Sequence, residues 1–561
     1  MLKNHLKRSG QKCVANQASR DFKKLLASRR KEFYRSLNTE LKKMKTSNPR
    51  EYWKMLNKST EGKKIKEKVA IDVFFNHFKN LSETPQSDAH SAEPDIESDL
   101  ADNPLLNGSI TMKEIIDYLS SASNGKASGP DNLRNEYLKQ LPQAGLDFIL
   151  VFFNKILETG IIPDDWSIGT VLPLFKNKGS PDDPGNYRGI TLLSCLGKLF
   201  TAILNGRICK FMNENGQLGN EQAGFRAGHS TMDHVFVLHH VIDFYRQRGK
   251  QVYCAFVDYS KAFDLINRAA LWSKLLKEGI SGKILQVIQS MYEGAKSRVR
   301  VGGKLSDSFS CSTGVRQGEN LSPILFAIFL NDFQDFIAQK SAGLSNLEDH
   351  LKESEVFAKL CILLYADDTV IMAESAQDLQ RSLDALSEYC RNWDLKVNLD
   401  KTNVVIFSKG KITKHPKFTY NDSEVKVVDD YTYLGVVMNY DGKFGKAIEN
   451  QRTVALKAMF ALQEKIRILD LDIDTSLELF QRCVMPIMLY GSEIWAYENR
   501  HIDRLDVLYK GFQKKLLNLF ITTPSCMVAG ELGQPDIRSL ITSRQLRFWA
   551  KVANDDTSGC I

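Results

Sequence analysis

The 561-residue chain reads as an α+β protein, on three observations. Short β-prone runs bounded by Gly, Pro, Asn and Asp alternate with amphipathic helical stretches through the middle of the chain. No internal repeat period links them. Beyond about residue 446 the spacing becomes that of long helices, so a helical C-terminal region follows the mixed part.

In chain order, Phe22, Leu26, Phe33, Leu37, Leu41 and Met44 recur at near-helical spacing among Lys and Arg, predicting a basic amphipathic helix. A second short helix carries Trp53 and Leu56. Residues 1–69 hold 21 Lys and Arg against 6 Asp and Glu, while the whole chain is only +8. The basic character is therefore N-terminal and suits a polyanion such as nucleic acid. Residues 81–104, rich in Ser, Pro, Asp and Glu, read as a flexible acidic linker. The expected organisation is a basic helical region over 1–80, this linker, a mixed domain over 105–445 and a helical region over 446–561.

Within the mixed domain, "SIGTVLPLFKNKGSPDDPGNYRGITLL" predicts two strands joined by a Gly/Pro/Asp-rich loop, and "QVYCAFVDYSKAFDLI" a strand running into a helix. "LLYADDTVIM" predicts a β-hairpin with its Asp pair at the turn, while "NVVIFSKG" and "YTYLGVVMN" read as further strands. The ten cysteines form no Cys-x-x-Cys pair or zinc-knuckle spacing, which points away from a structural zinc site or disulfide framework. No signal-peptide core and no run of 18 apolar residues occurs. An intracellular protein of the nucleus or cytoplasm, with no membrane partner, is the expectation.

An Asp pair at a turn is ordinarily solvated. Here it has a candidate partner in Asp258, at the end of the β-prone run Val252 to Val257. If the two strands share a sheet, Asp258, Asp367 and Asp368 converge, and carboxylates so close repel unless a cation lies between them. Oxygen ligands with room for water suit Mg²⁺, and two such ions fit an in-line phosphoryl displacement. Lys176 and Arg188, on the two arms of a basic hairpin, could fold over a triphosphate. Gln317 and Gly318 open a glycine-bearing loop that enters an apolar helix, allowing close backbone approach. Asp264 and Asp332 read as structural partners or helix caps, and the histidines of "GHSTMDHVFVLHH" as helix-surface or core residues. "EGISGKI" fails the phosphate-loop pattern.

The ordered series "NGKASGPDNLRNEYLK", "LFKNKGSPDDPGNYRGITLLS", "QAGFRAGHSTMDHVFVL", "FVDYSKAFD", "GVRQGENLSPILFAIFLND", "YADDTVIM", "WDLKVNLDKTNVVIF" and "YTYLGVVM" resembles the reverse transcriptase of non-LTR, LINE-type retrotransposons over about residues 110–445. The resemblance implies a right-hand polymerase with fingers, an antiparallel palm sheet and a thumb. Asp258, Asp367 and Asp368 would then be the catalytic acids and ligands of two Mg²⁺ ions. Lys176, Arg188, Phe263, Gln317 and Tyr365 would bind the deoxynucleoside triphosphate, Phe263 as the aromatic gate against a ribose 2′-hydroxyl. Lys401 would protonate departing pyrophosphate, and Tyr433, Leu434 and Gly435 would form the primer grip.

Family members commonly carry an endonuclease before the polymerase, and only about a hundred residues precede it here. The expected partners are thus an RNA template, a DNA primer and a separate nuclease that supplies the primer. Two other readings stay open: a non-catalytic RNA-binding protein on a retained polymerase fold, and a reverse transcriptase like a group II intron maturase.

Overall fold

The computed structural model describes residues 12–58, 69–83, 103–219, 221–226, 228–341, 344 and 362–554. Most of the acidic segment 81–104 lies outside them. The chain separates into two compact units. One joins Met1–Lys66 to Phe444–Ala553; the other is essentially Glu67–Lys443. Distant ends of the sequence thus share a unit, which linear composition does not reveal.

In the first unit, the helix Lys12–Ser47 is the predicted basic one, and among its described side chains only Leu41, in the C-terminal third, is buried. Leu41 is buried, whereas Phe22 and Phe33 are each more than 60% exposed. Asn38 Nδ2 donates to the Asp470 carbonyl at 2.6 Å, Lys42 pairs with Asp472 at 3.3 Å, and Lys45 with Glu478 at 2.6 Å. Tyr52 and Leu56 of the helix Pro49–Lys58 are buried as well. The predicted C-terminal helices are present as Gly445–Leu469, Ile473–Cys483, Asn499–Leu516 and Ile537–Asn554. Phe480 and Phe512 stack between two of them at 4.0 Å.

The second unit is the α+β part. Strands β1 (Ile168–Phe175), β2 (Tyr187–Leu192), β4 (Lys296–Val301) and β5 (Lys304–Ser310) make a four-stranded sheet in the order β2-β1-β4-β5. As predicted, β1 and β2 are antiparallel across the Gly/Pro/Asp loop. A six-stranded sheet has the order β6-β7-β3-β8-β10-β9, with β3 Val252–Val257, β6 Ile362–Tyr365, β7 Asp368–Ala373, β8 Asn403–Phe407, β9 Phe418–Tyr420 and β10 Ser423–Val427. Its pairs are antiparallel except β8 with β10. Cys254, Ala255 and Phe256 of β3 are fully buried, as a central strand with β-branched and aromatic neighbours requires. Helices Thr231–Gln247 and Ala376–Asn392 pack on this sheet.

Two predicted elements are corrected. β3 does not run into a helix: Lys261 takes a left-handed φ of 53°, and a tight turn closes with Asp264 N–H on the Lys261 carbonyl at 2.9 Å. A residue at positive φ cannot continue a right-handed helix. "YTYLGVVMN" is a hairpin rather than one strand. β11 (Asp430–Tyr433) and β12 (Val436–Asn439) turn at Leu434 and Gly435, both at positive φ, as a type I′ loop requires.

Candidate active site

The site forms where β3 ends against the β6–β7 hairpin. Val257 lies opposite Thr369 in the antiparallel register, and the next step sets Asp258 beside Asp368. Tyr365 pairs with Asp368, so Ala366 and Asp367 are the two loop residues. The Asp pair therefore sits at the turn as predicted, one member in the loop and one opening β7.

Asp258 is fixed by the segment before β8. Its N–H donates to Thr402 Oγ1 at 3.2 Å, and its carbonyl accepts from Asn398 N–H at 2.7 Å. Lys401 Nζ donates to Asp258 Oδ2 at 3.2 Å. Burial raises the Asp367 carboxyl above its ordinary range; Asp258 adds to this, while Lys401 and Arg188 oppose it. Asp368 is pushed up to about 6, by burial first and then by Asp367 and Asp258. Asp367 and Asp368 thus both feel Asp258 and Lys401, and Arg188 reaches Asp367 as well.

Among the described residues no three His, Cys, Asp or Glu side chains close into a metal-gripping cluster. Lys401 instead lies against Asp258, with an exposed side chain free to swing away. Asp367 and Asp368, held above their ordinary range by burial first and by neighbouring carboxylates second, are nonetheless with Asp258 a donor set that fits a hard divalent cation, whose charge would oppose the shift.

The other predicted residues surround this end of the sheet. Arg188 is exposed on β2 opposite Leu174, and Lys176 follows β1 with its Nζ on the Gly185 carbonyl at 3.0 Å. Phe263 stacks on Phe326 at 4.4 Å and meets the edge of Phe225 at 6.2 Å, so its ring is braced on two sides. Gln317 Nε2 donates to Asp264 Oδ1 at 2.9 Å, making Asp264 a partner of the loop. Gly318, at φ 111°, has no room for a side chain, since a Cβ would lie 2.8 Å from the Thr191 carbonyl oxygen. Tyr365 meets the His234 ring edge-on at 6.1 Å. Tyr433 is buried, its hydroxyl 3.4 Å from His234 Nδ1, and burial holds that imidazole neutral with its pKa lowered to about 4. Tyr431, from the same hairpin, stacks on Phe256 at 4.4 Å and so ties Leu434 and Gly435 to the central strand.

Sequence reasoning missed Gln222, Phe225, Phe326, Asn398 and Thr402. Only Gly224 in "QAGF" signals a close approach; the bracing roles depend on contacts between segments far apart in the chain.

Residues 175–438 match the family described as reverse transcriptase (RNA-dependent DNA polymerase). Residues 175–438 therefore form a reverse-transcriptase region, and the six-stranded sheet lies within it. More particularly, the chain is related to the RNA-directed DNA polymerases of non-LTR retrotransposons. It is 28% identical over 467 residues to the RNA-directed DNA polymerase from mobile element jockey of Drosophila funebris, covering 79% of this chain and 48% of that protein. It is 24% identical to the Pol polyprotein from the type-2 retrotransposable element R2DM of Drosophila melanogaster, covering 76% of this chain and 39% of that one. The chain spans about half the length, or less, of these relatives. Among solved structures, a truncated apo telomerase from Candida tropicalis aligns at TM-score 0.34 and 14% identity, covering 52% of this chain and 58% of that one. Telomerase from Candida albicans aligns at 0.34 and 13%, covering 71% and 72%. Among the described residues no helix is long and apolar enough to cross a membrane.

Proposed function

We propose that this chain is an RNA-directed DNA polymerase of a LINE-type retroelement, adding deoxynucleotides to a primer 3′-hydroxyl on an RNA template. The observation that carries the reading is the β3–β7 register, which brings Asp258 level with Asp368 at one end of a buried sheet. Asp258, Asp367 and Asp368 would hold two Mg²⁺ ions. When bound, these supply charge stabilisation at the attacking and leaving oxygens.

The chain's own residues do the remaining work. Arg188 and Lys176 neutralise the triphosphate, and Gln317 lies along the incoming sugar. The braced Phe263 ring excludes a ribose 2′-hydroxyl, while Tyr365 lines the same site. Lys401, already beside Asp258, delivers a proton to the departing pyrophosphate. The β11–β12 hairpin, with Tyr433, Leu434 and Gly435, holds the primer end. Residues 105–445 act as fingers and palm, and 446–561 as thumb and C-terminal region.

Primer extension on an annealed RNA template with deoxynucleotides and Mg²⁺ tests this. Extension by the intact chain, abolished in Asp367→Ala, is expected. A folded wild type that binds RNA and extends nothing would favour the non-catalytic alternative.

A further inference from the structure

The turn that carries Asp367 is under conformational tension. Ala366, the first residue of the two-residue loop, has φ 57°, in the left-handed region that favours Gly. Such a conformation persists only where the surroundings over-determine it. Here they do so through one segment of the chain, Glu221–Gly224.

That segment runs along the free edge of β6. Leu364 N–H donates to the Glu221 carbonyl at 2.8 Å, and Ala223 N–H to the Leu364 carbonyl at 3.0 Å. Gln222, 2% exposed, then reaches into the loop: its Oε1 accepts from Gly224 N–H at 2.8 Å and from Ala366 N–H at 3.1 Å. Two N–H donors require the carbonyl end of the amide, and this leaves Nε2 buried without a partner. An unsatisfied buried donor is tolerated where the opposite end of the group is needed. Gly224 permits the approach, because a Cβ there would lie 2.3 Å from Ala366 N.

We infer that Gln222 is a positioning residue: it clamps the Ala366 amide, holds that residue at its positive φ, and thereby sets where the Asp367 carboxylate stands. The inference rests on the polymerase reading for its consequence in turnover, but not for its effect on the turn itself.

The test uses the full chain and three readouts. Amide hydrogen exchange of the metal-free protein should find Ala366 as protected as the β6 amides, although it lies in a turn. In Gln222→Met, which keeps the volume and removes the acceptor, exchange at residues 364–368 should rise and Mn²⁺ binding followed by EPR should weaken. About ten-fold is expected for each, the effect of one orphaned buried amide. In primer extension kcat should fall with KM for deoxynucleotide unchanged. Adding Ala366→Gly, which relaxes the demand for positive φ, should recover most of the loss. Wild-type exchange and Mn²⁺ binding in a folded Gln222→Met chain would overturn the inference. So would an unprotected Ala366 amide in the wild type, which needs no variant. A wild type that extends no primer but protects Ala366 would refute the polymerase reading and leave the clamp standing.

Discussion

Lys274 Nζ lies 2.6 Å from Asp332 Oδ1 in the interior of the second unit. The same ammonium donates to the Phe329 carbonyl at 2.6 Å and the Tyr389 hydroxyl at 2.7 Å, and it sits 3.9 Å from the Trp393 ring centroid. All three donors are used, so the buried charge is matched. Asp332 is thereby a structural partner, as the sequence suggested. Lys274→Met takes the counter-ion from Asp332, which keeps only the Tyr389 hydroxyl at 2.7 Å, and should cost about 3 kcal/mol of stability in urea unfolding.

The same lysine predicts a pH dependence. Burial lowers its pKa to about 8, below the roughly 10.4 of an unfolded lysine. Between these values the unfolded chain binds more protons, so stability should rise from pH 8 towards pH 10. The difference between wild type and Lys274→Met, measured by urea midpoints across that range, isolates the effect. A difference independent of pH would contradict it.

Asp368 behaves with the opposite sign. Its folded pKa of about 6 exceeds that of a free carboxyl, so its ionisation burdens the metal-free protein above pH 6 and relief comes as pH falls through that value. Asp368→Asn should stabilise the metal-free protein at pH 7 by about 1 kcal/mol, the effect of the shift being reduced by solvent screening because the residue is more than a third exposed although its carboxyl lies against the protein. It should also abolish or sharply reduce primer extension. Calorimetry and extension assays on one preparation check both.

Phe263 should govern sugar choice. Phe263→Val opens the space beside a 2′-hydroxyl and should lower the preference for deoxynucleotides by roughly 10–200-fold, the range for a change of pocket shape. Phe326→Leu removes the ring on which Phe263 stacks and should shift discrimination the same way by less. Unchanged ratios of kcat/KM in both variants would discard the gate.

Leu56 should stabilise the unit that contains the C-terminal helices. It is fully buried, and Leu56→Ala should cost about 2–5 kcal/mol there. A loss confined to the transition of the first unit, with primer affinity reduced as that unit loosens, is the expected pattern.

Much of this architecture was legible because periodicity reports local structure. The Asp367 turn, the β1–β2 pair and the long C-terminal helices follow from patterns within about twenty residues. The end of β3 was misread because the left-handed turn at Lys261 has no Gly or Pro to announce it. The hairpin at Leu434 and Gly435 was read as one strand because its apolar residues continue through the turn. Gln222 was illegible for a different reason. A polar residue in a Gly-containing loop looks solvated until the sheet edge 140 residues later closes over it.

The helix Lys12–Ser47 meets its partners Asp470, Asp472 and Glu478 only through residues made at the far end of the chain. During synthesis it emerges before these partners and waits while residues 67–443 are added, some tens of seconds at about 5–20 residues per second. Over that interval its basic, half-apolar surface is open to whatever polyanion lies near the ribosome, the messenger included. The second unit can fold in that time; the first unit cannot be completed until its C-terminal helices have been made.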